Sequence, residues 1–305
     1  MKVLVIGGSG MIGSTVLRVL SEKKDWQVFG SVRDESAKRF FSASIGERLI
    51  AGIDVEHPDS LVRILDQIRP DVVVNCAGLT KHKPEAEDPL IAIPINTLMP
   101  HRLARLCNLI GARLIHVSTD CVFSGEKGGY TEDDFADARD VYGKSKALGE
   151  VDYPHAITLR TSTIGHELQS QYGLLDWFLS QQGRCKGYTR AIFSGLPTVV
   201  FAQVVRDVVI LHTELSGLYH VAAKPIAKFD LLKLIADVYG KTIDIVPDDR
   251  LAIDRSLDAT RFQTVTGYVA PEWPELIKLM HAYKQGNIKN PDFVIGRTTS
   301  VAPQN

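Results

Sequence analysis

Along the first half of the chain, short unbroken apolar runs alternate with longer stretches whose apolar positions recur every three or four residues. Val3-Leu4-Val5-Ile6 predicts a strand, Met11–Leu20 a helix and Gln27-Val28-Phe29 a second strand. Residues 61–68 have the helical period and stop before Pro70, which cannot continue a helix. Residues 71–75 (DVVVN) show no polar alternation, the pattern of a strand covered on both faces. Residues 100–110 predict a helix closed by Gly111, 114–117 a strand, 142–151 a helix and 156–160 a strand. Strands alternating with helices over this length imply right-handed crossovers, hence an α/β fold built on a Rossmann doubly wound parallel sheet.

Beyond Arg160 the rhythm changes. Residues 174–179 and 202–211 read as helices, separated by a glycine-rich and aromatic stretch, 183–197. Residues 218–221 predict a late strand, 229–239 an amphipathic helix ended by Gly240, 243–246 a short strand and 274–283 a last helix. The expected organisation is a Rossmann domain over 1–165 and a smaller mixed α/β lobe over 166–290. A strand near 218–222 returns to the sheet, and the polar residues 291–305 form a tail. Such a lobe covers the carboxyl ends of the strands, where open α/β sheets bind ligands.

That edge is where the candidate chemistry gathers. Gly7, Gly10 and Gly13 follow the first strand and open the first helix, a place where a pyrophosphate can approach bare backbone and the helix N-terminus. The second strand runs into Ser31, Val32, Arg33 and Asp34. Ser31 and Arg33 are suited to hold a 2′-phosphate, which favours NADP, while Asp34 keeps NAD open, because an acidic residue there commonly takes the ribose hydroxyl. Residues 1–165 are thus expected to bind NAD(P).

Further on, Tyr142 and Lys146 stand four residues apart, so one helical face presents both. A nearby ammonium favours phenolate and draws a phenol towards the range useful for acid–base work. Ser118 and Thr119 end the strand 114–117 and are placed to offer a hydroxyl to a substrate oxygen; Asp120 is as well explained as a turn cap. Lys81, His82 and Lys83 follow the DVVVN strand as a basic loop suited to a diphosphate, or simply to solvent.

Composition narrows the classes. With 35 basic and 36 acidic residues and a net charge of −1, the chain lacks the basic excess of a nucleic-acid binder. None of the nine histidines falls in a metal-ligating pattern, and no metal is assigned. The four cysteines share no metal-ligand spacing and read as small core residues in a reducing compartment. No apolar run reaches the ~18 residues of a membrane helix, and the apolar start breaks at glycine after Ile6, so a cytoplasmic protein with no membrane partner is expected.

Taken together, the glycine loop, DVVVNCAG (71–78), STDCVFSG (118–125), YGKSKALGE (142–150), LRTSTIG (159–165), SGLPT (194–198), GLYHVA (217–222) and DRSLDATRF (254–262) resemble the dTDP-4-dehydrorhamnose reductase branch of the extended short-chain dehydrogenases. The likeness runs to about Met280. It implies reduction by NADPH of the 4-keto group of a nucleotide-linked 6-deoxy-4-keto sugar, in the making of cell-surface polysaccharide sugars. It implies Thr119, Tyr142 and Lys146 as the catalytic set. Gly7, Gly10, Met11, Ile12, Ala77, Gly78 and Lys146 become cofactor contacts, and Asp54 takes the position flanking the adenine. Around the nucleotide sugar it places Ser118, Phe123, Arg190 and Arg255, with Lys83 from the basic loop. Apart from the resemblance, Trp177, Phe178 and Phe193 read as core or lid packing, with a place at the border of the sugar pocket left open for Phe193. The superfamily often forms homodimers.

Three departures bear on the sugar: Cys121 replaces the family's tyrosine, Thr163-Ile164-Gly165 replaces an aromatic pair, and Lys81–Glu87 replaces an acidic loop signature. The same resemblance extends to sugar-nucleotide epimerases and to the NADP-binding regulatory subunit of methionine adenosyltransferase, which acts as a partner protein.

Overall fold

The computed structural model describes residues 1–81 and 84–284. Seven parallel strands make the central sheet: β1 (Lys2–Ile6), β2 (Gln27–Ser31), β3 (Leu49–Ile50), β4 (Val72–Asn75), β5 (Arg113–Thr119), β6 (Ala156–Thr161) and the strand Gly217–His220. Their spatial order is Gly217–His220, β6, β5, β4, β1, β2, β3. The order reverses between β1 and β4, and a crevice opens beyond the strand ends at such a switch point. Every residue of β4 is buried, because helices lie on both sides of the sheet.

Side chains alternate across the sheet and fill two cores. Val3, Val5, Ile115 and Val117 face one way, into a core shared with helix Met11–Leu20 and helix Thr198–Val204. Leu4, Ile6, Val73 and Leu114 face the other, against helices Pro58–Ile68 and Met99–Leu109. The first of those two helices starts with proline at its N-terminus and ends on Arg69, whose φ of 50° turns the chain out of the helix.

The glycine-rich stretch 183–197 holds more order than its composition suggests. It forms strands Arg184–Tyr188, Ala191–Phe193 and Leu196–Pro197, none of them in the central sheet. Arg184–Tyr188 pairs with Asp244–Asp248, and Leu196–Pro197 pairs with Thr163–Ile164 just after β6. Each partner is far away in sequence, so no local pattern announces the pairing. The following helix begins at Thr198, ahead of the expected residue 202, because the apolar residues from Val199 onward are buried all round. The expected tail 291–305 lies outside the described residues. Among those residues, no helix is long and apolar enough to cross a membrane.

Candidate active site

A cavity of about 1260 Å³ runs along the carboxyl ends of the central strands. It exceeds the ~300–1,000 Å³ of a pocket for one drug-sized ligand, so it has room for two. Its walls come from both the sheet and the segments after β6.

At one end lies the turn between β1 and helix Met11–Leu20. Gly7 has φ of 82°, and a Cβ there would come within 2.8 Å of the Ala77 nitrogen. A Cβ on Gly13 would meet the Gly7 carbonyl oxygen at 2.1 Å. The loop is thus pressed flat on the turn after β4, and Gly10 caps the helix without a side chain. Ser31 is buried; its Oγ accepts from the Gly7 amide at 3.1 Å, and its carbonyl accepts from Gly8 at 2.8 Å. Ser9, Met11, Ile12, Ala77 and Gly78 line the same end. The bare cradle fits a dinucleotide pyrophosphate, whose charge the helix N-terminus favours.

The two residues weighed for cofactor choice part company. Arg33 lines the cavity and is exposed, and its side chain makes no hydrogen bond or ion pair among the described residues. Asp34 faces away: its carboxylate accepts from the Ser36 amide at 2.7 Å, and that bond holds it below its ordinary pKa. Asp54 does not line the cavity either; its Oδ1 accepts from the Glu56 amide at 3.0 Å. Its neighbours Ile53 and Val55 line the wall instead. Alternation within an extended segment turned the apolar neighbours inward and the carboxylate out.

At the centre stand the proton-handling groups. Helix Val141–Leu148 is capped by Asp140, whose Oδ1 accepts from the Gly143 amide at 2.7 Å while Oδ2 accepts from Lys81 Nζ at 2.7 Å. A Cβ on Gly143 would lie 2.3 Å from the Cys121 carbonyl oxygen, so this helix sits hard against the turn after β5. That approach brings Tyr142 to Thr119. Burial pushes the Tyr142 phenol well above its ordinary pKa, opposed by a hydrogen bond with the Thr119 side chain. Thr119 Oγ1 also accepts from the Cys121 amide at 3.1 Å and donates to Asp120 Oδ1 at 3.1 Å. Burial brings the Lys146 ammonium down to about 8, opposed by Glu150, and its Nζ donates to the Val117 carbonyl at 3.0 Å. With the lysine engaged on backbone and burial dominant, Tyr142 holds its proton firmly, contrary to the lowering expected from the i,i+4 spacing alone.

Ser118 lines the cavity, but its hydroxyl donates to Glu150 Oε1 at 2.7 Å. Asn96, on the π-helical turn Ile93–Leu98, accepts from the Leu79 amide at 2.9 Å and donates to Ser145 Oγ at 3.1 Å. It ties the turn after β4 to the helix of Tyr142.

The lobe end is lined by residues including Glu167, Tyr172, Trp177, Phe193, Lys228 and Arg255. Arg255 Nε donates to the Phe123 carbonyl at 2.7 Å, and Nη1 approaches Cys121 Sγ at 3.8 Å. Two expected substrate contacts are not brought there. The Phe123 ring is fully buried, stacked on Tyr130 at 4.0 Å with the Arg160 guanidinium 5.0 Å from its centroid. Arg190 is exposed and does not line the cavity; it sits in the tight connection between strands Arg184–Tyr188 and Ala191–Phe193, of which Ile192 and Phe193 reach the cavity instead. Lys83 lies outside the described residues. Lys228, Tyr172 and the apolar wall of Ile53, Val55, Leu251 and Ile253 were not legible beforehand. Among the described residues no cluster of acidic, histidine or cysteine side chains could hold a metal.

The family described as RmlD substrate binding domain matches residues 1–284. The chain belongs to that family. The dTDP-4-dehydrorhamnose reductase of Aggregatibacter actinomycetemcomitans is 25% identical over 309 residues, covering 93% of this chain and 99% of that protein. Methionine adenosyltransferase 2 subunit beta of Xenopus laevis is 26% identical over 149 residues, 49% of this chain and 41% of that one. A solved dTDP-4-dehydrorhamnose reductase from Bacillus anthracis, in complex with NADP, superposes with a TM-score of 0.75 at 20% identity, covering 92% of this chain and 99% of the other. At that identity the likeness concerns the fold.

Proposed function

We propose that the chain is a nicotinamide-dependent oxidoreductase of nucleotide sugars that uses NADPH to reduce the 4-keto group of a 6-deoxy-4-keto sugar, in the cytoplasm, for the making of polysaccharide sugars. The observation that carries it is the convergence of Thr119, Tyr142 and Lys146 beside a bare glycine cradle, within one cavity large enough for cofactor and substrate. Reductases among the relatives support the reaction class. NADPH rather than NADH follows from Arg33, which faces the cavity as an unengaged cation, and from Asp34, whose carboxylate is occupied by its own turn.

A reduced nicotinamide cofactor, held at the glycine cradle, would supply the hydride for the sugar carbonyl. The Thr119 hydroxyl holds the carbonyl oxygen beside Tyr142. Because burial keeps the Tyr142 phenol protonated, it is set to give its proton to the oxygen as negative charge develops there. Lys146, held by the Val117 carbonyl, would offer its positive charge to that oxygen and help hold the cofactor.

The test is NADPH oxidation with a panel of dTDP-, UDP- and GDP-linked 4-keto-6-deoxysugars. Turnover with one of them, lowered at least ~100-fold in Tyr142→Phe with NADPH affinity retained, is the expected result. A Tyr142→Phe protein with full turnover overturns the assignment. Firm NADPH binding with no turnover on any sugar would favour a partner-protein role like that of the methionine adenosyltransferase subunit.

A further inference from the structure

The charges around the cavity are unequal. Five cations line it (Arg33, Lys81, Lys146, Lys228 and Arg255) against two acids, Asp120 and Glu167. Three cations are engaged: Lys146 on the Val117 carbonyl, Lys81 on Asp140, and Arg255 on the Phe123 carbonyl and Cys121. The side chains of Arg33 and Lys228 make no hydrogen bond or ion pair among the described residues. They mark different ends. Arg33 follows β2 beside the glycine cradle, whereas Lys228 opens helix Lys228–Tyr239, close enough to Asp120, Cys121 and Arg255 to interact electrostatically with all three.

We infer that Lys228, together with Arg255, receives the diphosphate of the nucleotide sugar. This rests on the reading of the site given above and adds a binding residue to it. An ammonium drawn out of water without a partner is costly, and an anion arriving beside it removes that cost. Sugar hydroxyls would hydrogen-bond to it but would not neutralise it; a diphosphate does both. The cofactor's own pyrophosphate is accounted for at the glycine cradle, across the sheet edge from the lobe. Asp120 is the nearby acid, but burial raises its carboxyl pKa, which weakens it as a counter-charge. Burial is also the main influence lowering the Lys228 ammonium. Arg255 has made two of its five N–H contacts, leaving three donors for phosphate oxygens. The two cations come from chain segments that meet only in the folded lobe, and both flank Cys121, next to the catalytic Thr119. A diphosphate held there points the attached sugar towards Tyr142.

The experiment compares wild type with Lys228→Met and Lys228→Arg, all saturated with NADPH so that the glycine cradle is taken. Titration calorimetry with dTDP and UDP, with inorganic pyrophosphate as competitor, reads the subsite without turnover. The expected result is nucleoside diphosphate binding weakened at least ~10-fold in Lys228→Met, a loss of one charge-assisted contact, with the arginine variant near wild type. NADPH affinity and the thermal midpoint stay at wild-type values. In turnover, the KM for the keto sugar rises by a similar factor while kcat holds. Equal nucleoside diphosphate affinity in Lys228→Met and wild type would overturn the inference, even if the wild type reduces a keto sugar normally. A wild type that binds dTDP or UDP through Lys228 but reduces no sugar leaves the subsite standing and removes the reductase reading instead.

Discussion

Ser31, Arg33 and Asp34 lie within four residues of one another and do three different things. Ser31 is buried and braces the glycine turn through its side-chain and backbone oxygens. Asp34 is consumed by the cap of the 3-10 turn that begins at Glu35. Arg33 alone of the three lines the cavity with an uncommitted side chain. Replacing it with alanine should therefore lower the preference for NADPH over NADH by roughly tenfold or more, the effect of losing one guanidinium–phosphate contact. Affinity for NADH should hardly change. Steady-state kinetics with both cofactors checks this, and an unchanged NADPH-to-NADH ratio would remove Arg33 from cofactor choice. Sequence inspection found all three residues, because a strand followed by a polar turn is visible locally. It could not divide their roles, since neighbouring side chains point in different directions once the turn forms.

Among elements, the decisive contact is between helix Val141–Leu148 and the turn after β5. The helix approaches so closely that Gly143 has no room for a methyl group: a Cβ would lie 2.3 Å from backbone oxygen and 2.5 Å from Ala138. Gly143→Ala should cost about 1–3 kcal/mol of stability, as overpacking does, because the Cys121 carbonyl is backbone and cannot swing aside. It should also lower kcat by separating Tyr142 from Thr119. Denaturant titration and single-turnover rates measure the two effects; an alanine variant with wild-type stability and rate would show that the helix is free to shift. The i,i+4 pairing of Tyr142 and Lys146 was legible because helical period is local. That Lys146 would attach to the Val117 carbonyl, and leave the phenol's pKa to burial, depended on a strand nearly thirty residues earlier in the chain.

At the scale of the whole molecule, a buried polar chain crosses the sheet from the end of β5 through β6 to the edge strand Gly217–His220. Ser118 and Arg160 both donate to Glu150, the arginine through Nε and Nη2 at 2.7 Å each. Arg160 Nη1 donates to His220 Nε2 at 3.3 Å, and His220 Nδ1 donates to the Tyr130 carbonyl at 3.1 Å. Burial, with the nearby Arg160 charge, brings the His220 imidazole down to about 4 from an ordinary 6.5. Between those two values the unfolded chain binds a proton that the folded chain does not, so stability is lost as pH falls through that window. His116, buried and pushed well below its ordinary value, acts in the same direction. Urea midpoints should fall steadily from pH 6.5 towards pH 4. A His220→Gln variant should show a shallower slope over the same range, and an identical slope would exclude His220 as a cause.

Read by itself, the chain determined the doubly wound sheet, the glycine turn and the placing of Tyr142 and Lys146 on one helical face, because continuous strands, helical period and turn chemistry are all written within a few residues. The interior of 183–197, the burial of Phe123, the outward turn of Asp54 and the arrival of Lys228 beside Arg255 were decided only by the tertiary structure. Each depends on partners from distant parts of the chain or on which face of an extended segment meets the core, and neither has a local signature.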